Sequence, residues 1–150
     1  MTANSREWLA RIKAVESEYL AIRLATDRLV EQASLNPSIL GKVLRLGDLR
    51  QAAARLEDTY IVCLFSEFET GLRRYWARSR TTEPPNRTRD LVDGLAASLR
   101  VPFEVLNETH AVRELRNHLV HARDGPTAPI ILAQARHYLC AFFSYLPPFW

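Results

Sequence analysis

The chain has 150 residues, 47% hydrophobic and 25% charged, which is the composition of ordinary globular material and fits one domain over 1–150. A net charge of +3 excludes a strongly acidic chain, and the two cysteines, Cys63 and Cys140, are too few and too far apart for a disulfide framework or a zinc spacing. Lys13 and Lys42 are the only lysines among 20 basic residues. Arginine suits phosphate through its planar fork, but the same bias follows from genome base composition, so the charge permits nucleic-acid binding without establishing it.

Each cysteine lies in an apolar segment and reads as a buried free thiol of a reducing, cytoplasmic compartment. The N-terminal MTANSREWLARIK has no apolar signal core, and Gln134, Arg136, His137 and two prolines break the apolar stretch 130–150 well short of a membrane span. No membrane partner is expected.

Five glycines in all, and no sustained alternation of apolar and polar residues, point to an all-α fold. Ser5 is the candidate N-cap of a first helix to about Ser34, with Trp8, Ile12, Val15, Tyr19, Ile22, Leu29 and Ala33 forming a narrow seam. Asn36-Pro37 ends it, and residues 38–47 form a linker with room for one helical turn.

A second long helix is expected after Gly47, capped by Asp48 and running to about Arg80. Its middle, Tyr60 to Phe68, is apolar nearly all round, as in a helix buried deeply or on two sides. Val62, Phe65, Leu72 and Trp76 make one stripe, and Glu69 falls in the middle of it. A carboxylate there needs a partner, and Arg73, four residues on, is one candidate.

The run TTEPPN at 81–86 breaks the chain. Thr88 can cap a short helix from Arg89 to Arg100 with Leu91, Leu95 and Leu99 inward. Val101-Pro102 then turns into a late helix, starting at Phe103 or restarting at Asn107, which Asp124-Gly125-Pro126 stops. Thr127 is the expected cap of a final, largely apolar helix to about Leu146.

The late helix carries the residues that ask for chemistry. Val112, Leu115, Leu119 and Ala122 recur on one face, and Arg116 intrudes among them. A permanent charge in that setting is costly unless it is paired or reaches an anion. Asn117 and His121 are four apart and therefore neighbours on the helix. Glu114, His118 and His121 share the polar side, but their spacing is not that of a helical zinc motif. A Gly-x-Ser-x-Gly elbow and a Gly-rich phosphate loop are both missing from the sequence.

The order Arg116-Asn117, three residues, then His121 resembles the R-N-x-x-x-H motif of the HEPN ribonucleases. Glu69, within Phe65-Ser66-Glu67-Phe68-Glu69, is similar to the acidic position those proteins often carry in an upstream helix. The resemblance implies a HEPN-like bundle of four to five helices, including two long N-terminal ones, that pairs as a homodimer. It implies a metal-independent endoribonuclease, with no cofactor, acting as a toxin or defence effector on single-stranded RNA. Arg116 would grip the scissile phosphate, His121 would transfer protons, Asn117 would orient either, and Glu69 would hold Arg116 in position. Arg113 and Arg123 would bind RNA. An antitoxin protein is a further partner the resemblance allows, although Arg123 stands where some such toxins carry a tyrosine that a partner enzyme modifies.

Other readings compete. His121 can be a helix-end histidine stabilised by the helix dipole, and Arg116 one half of an ion pair in the core or across a dimer seam. The alternative class is a non-catalytic HEPN-like helical dimer that binds protein or RNA. Two further expectations are structural: a homodimer, whose apolar contact is drawn from Tyr60 to Phe68 and the final helix, and an ion pair between Glu69 and Arg116, in one subunit or across the seam.

Overall fold

The computed structural model describes residues 4–121 and 127–150. Five α-helices account for most of them: α1 (Ser5–Leu35), α2 (Leu46–Ser79), α3 (Thr88–Leu99), α4 (Phe103–His121) and α5 (Leu132–Phe143), with a single 3₁₀ turn at Pro37–Leu40. The fold is all-helical. Among the described residues only an isolated bridge between Asn4 and Phe149 joins extended backbone, bringing the two ends of the described chain together.

α1 and α2, of 31 and 34 residues, form an antiparallel hairpin about 50 Å long. Trp8, Ile12 and Val15 are buried on the proximal half of the α1 seam, and Ala33 is buried near its far end. Between them the seam opens, with Ile22 45% exposed. The distal end carries Leu35, Ile39 and Val43 uncovered, because the remaining helices are too short to reach it.

One hydrophobic cluster draws on all five helices and centres on α2. Phe68 lies edge-on to Phe142 and Phe143 of α5, with ring centroids 5.6 and 6.2 Å away. Gly71 makes this approach feasible. A Cβ there would stand 2.8 Å from the Phe143 ring and 3.1 Å from Trp8, so α1, α2 and α5 meet at a position that tolerates no side chain. Leu91, Val92, Leu95 and Ala96 of α3 and Thr109, Val112 and Leu115 of α4 complete the core.

The helix ends depart from the expectations in instructive ways. Asn4, not Ser5, caps α1, accepting from the Arg6 amide at 2.8 Å, while Ser5 is buried and donates its own amide to Pro148. α2 begins at Leu46 without a side-chain cap, so Asp48 lies inside the first turn. α5 starts at Leu132, not after Thr127, since Pro129 disfavours helical backbone before it. Its first amide is instead capped from α2, where the Glu57 carboxylate accepts from Leu132 N at 2.9 Å. α5 ends at Phe143, and a turn then carries Leu146 into the core.

Cys63 is exposed, contrary to the expected burial, because α2 is apolar over more of its circumference than its neighbours cover. Cys140 is half-buried, and burial raises its thiol above the usual range against the lowering pull of Arg136 and Lys13. No described helix is long and apolar enough to cross a membrane.

Candidate functional site

The site is built where α4 crosses α2 and where the loop before α3 comes up beside them. α4 is continuous from Phe103, and its inward face of Thr109, Val112 and Leu115 sets the register. Arg116 follows Val112 by one turn and is therefore pulled toward α2. Its guanidinium carbon lies 5.9 Å from the Phe65 ring centroid, a cation–π contact at the long end of the useful range. One terminal nitrogen donates to the Asn117 side-chain oxygen at 3.0 Å. Its Nε is buried and has no acceptor among the described residues. An N–H left in that state carries a desolvation cost of about 1–3 kcal/mol.

Asn117 and His121 do lie one turn apart, with Asn117 half-buried and His121 exposed at the end of α4. Arg116 and His121 are five residues apart, which places them about 140° from each other around the helix. One copy of α4 thus presents the cation and the imidazole to different sides. His118 is half-buried, about 60° around the helix from His121.

Glu69 does not meet Arg116. Its Oε1 accepts from Arg73 at 2.7 and 3.0 Å and from the Thr88 hydroxyl at 2.8 Å. Arg73 also donates to the carbonyls of Pro85 and Asn86, at 2.8 and 3.1 Å. The expected Glu69–Arg116 pair is thus replaced within the chain by a closed local network. The physical reason is reach: Arg73 sits one turn away on the same helix face, while Thr88 lies at the start of α3, packed against α2. Thr88 spends its hydroxyl on Glu69 rather than capping α3, whose N-cap residue is Arg87.

A groove of about 430 Å³ opens beside this network, lined by Asn86, Arg87, Thr88 and Arg89 on one wall and by Arg113, Glu114 and Asn117 on the other. Arg113, an expected RNA contact, is largely buried, with its side chain 11% exposed. Its Nη2 pairs with Glu114. Its Nε donates to His110 Nδ1 at 3.2 Å, which leaves His110 Nε2 to donate to Asp93 at 2.7 Å. Sequence reasoning passed over Asp93 and His110, because they are 17 residues apart on different helices and neither forms a motif. Arg123, the other expected RNA contact, lies outside the described residues.

No three His, Cys, Asp or Glu side chains among the described residues converge as a metal-binding group. A second groove, between α1 and α2, is lined by Arg11, Glu18, Tyr60, Cys63 and Glu67 and holds none of the motif residues.

The chemistry available at α4 is therefore a half-satisfied guanidinium, an amide tied to it, and a solvent-facing imidazole, beside a cation-lined groove. Compared with protein-family models, with curated proteins and with solved structures, the chain matches none of them.

Proposed function

We propose that this protein is an endoribonuclease that cleaves single-stranded RNA without a metal, within a HEPN-like helical bundle. The observation that carries this reading is Arg116. Its buried Nε lacks an acceptor among the described residues, a poor arrangement for a fold, and only one terminal nitrogen is taken, by Asn117, which leaves the other to donate to a phosphate oxygen. Asn117 fixes one terminal nitrogen of the guanidinium and so sets the plane of the fork.

In the proposed reaction a ribose 2′-oxygen attacks the adjacent phosphorus as an imidazole takes its proton. The P–O5′ bond breaks and the 5′-oxygen accepts a proton, leaving a 2′,3′-cyclic phosphate and a 5′-hydroxyl. His121 is suited to the transfers because histidine exchanges protons near neutral pH. Arg116 holds the charge that builds on the phosphate. The 140° between Arg116 and His121 is the reason to place two copies motif to motif, so that one cleft receives both groups twice. The half-exposed Val120 and the partly buried Val62 and Leu119 offer apolar surface for that contact.

Incubation of the pure protein with end-labelled RNA in EDTA tests the reading, with light scattering on the same sample. The expected outcome is a cyclic-phosphate product and a dimer mass. Absence of cleavage together with tight RNA or protein binding assigns the chain to the non-catalytic class instead.

A further inference from the structure

The groove between the start of α3 and α4 gathers three arginines. Arg87, Arg89 and Arg113 surround one cavity, and like charges gathered there oppose folding. Of the acidic groups around them, Glu69 is taken by Arg73 and Thr88, Glu114 is paired with Arg113, and Asp93 is shared between His110 and a loose contact with Arg89 at 3.7 Å. Arg87 has no partner among the described residues. The cavity is therefore cationic after its internal pairs are counted.

Its walls are also held rigidly. Arg73 fixes the carbonyls of Pro85 and Asn86, Trp76 Nε1 donates to the Thr82 carbonyl at 2.9 Å, and Thr88 is tied to Glu69. On the other wall Asp93 orients His110, and His110 orients Arg113. Arg113, held in place before a ligand arrives, loses little side-chain freedom on binding, while exposed Arg87 supplies the uncompensated charge. Asn117 belongs to both places, lining the groove while accepting from Arg116. Arg113 and Asn117 stand about one helical turn apart, roughly 6 Å along α4.

We propose that this groove is a second phosphate subsite, in which Arg87 and Arg113 hold a phosphodiester of single-stranded RNA next to the one gripped at Arg116. The proposal deepens the ribonuclease reading and rests on it for the identity of the strand. The subsite positions RNA and takes no part in bond making. His110 and Asp93 are positioning residues that act through Arg113.

Fluorescence anisotropy with a short single-stranded RNA, 2′-O-methylated throughout so that it cannot be cleaved, reads the subsite directly. Arg87→Glu is expected to weaken binding about tenfold or more at low salt and to lower the log–log salt slope by about one contact. His110→Ala should weaken binding by a smaller factor, about threefold. Arg28→Glu, the same charge change on the exposed surface of distal α1, should leave affinity within about twofold. On unmodified RNA, Arg87→Glu should raise KM and leave kcat unchanged.

Wild-type protein that binds the methylated RNA through Arg87 but cuts nothing overturns the nuclease and keeps the subsite. Cleavage with a KM indifferent to Arg87→Glu overturns the subsite and keeps the nuclease. Equal losses from Arg28→Glu and Arg87→Glu reduce the contact to diffuse charge and overturn the subsite, as does failure of the wild type to bind. A polyglutamate peptide that displaces the RNA at matched charge would assign the groove to an acidic protein and overturn the RNA assignment.

Discussion

Glu69 and Arg116 are both charged residues set in apolar helical stripes, and the structure treats them in opposite ways. Glu69 is enclosed by Arg73 and Thr88, and through Arg73 it anchors the loop that leads into α3. Arg116 has one hydrogen-bond partner, Asn117, and a buried Nε that nothing among the described residues accepts from. A charge whose hydrogen bonds close within the fold is explained by the fold. One left open is explained by what it meets from outside. The contrast ties Glu69 to the architecture and makes Arg116 the residue on which the proposed chemistry rests.

The largest expected effect falls on His121, the proposed proton carrier. His121→Ala should lower RNA cleavage at least about 100-fold, the usual scale for losing a positioned acid or base. Because His121 is exposed, its stability should stay within about 0.5 kcal/mol of wild type by urea denaturation. His118→Ala should cost far less activity, and equal losses would give the proton transfer to the wrong histidine.

The next effect falls on the closed side of the comparison. Glu69→Ala should destabilise the protein by about 2 kcal/mol, since it strands Arg73 and the Thr88 hydroxyl. Cleavage by the folded fraction should fall only several-fold, through the groove wall. A loss as large as that of His121→Ala would return Glu69 to the reacting centre.

The smallest effect is on the open side. Arg116→Met keeps apolar volume against Phe65 and removes the buried unsatisfied Nε. The midpoint of urea unfolding should hold or rise, by no more than about 1 kcal/mol. Destabilisation by 2 kcal/mol or more would mean that Arg116 has a structural partner after all.

Much of the helical layout was legible from apolar spacing. Phe65, Leu72 and Trp76 on α2 and Leu91 and Leu95 on α3 are buried as their periodicity requires. What spacing does not encode is which of two acceptors a side chain takes. Thr88 has the residue type of an N-cap, yet its hydroxyl goes to Glu69, 19 positions away. Glu57 caps α5 from 75 positions away, a pairing fixed only once α2 and α5 are packed. Cys63 was misread because an apolar run reports a tendency to be covered, and α3 to α5 are too short to cover all of α2. The oddity of Arg116 was legible. Arg73 was legible as a candidate for Glu69, but spacing alone could not decide that Arg73 rather than Arg116 would take it.

Arg116, in the proposed reading, is held for what it binds rather than for stability. One paired measurement decides it: cleavage of labelled RNA in EDTA by wild type and by Arg116→Lys, each scaled to its folded fraction from the urea curve. The prediction is unchanged stability and a rate at least about 100-fold lower, since lysine keeps the charge but cannot present the planar fork. A variant that cuts as well as wild type, or one that loses activity only in proportion to lost folded protein, would contradict it.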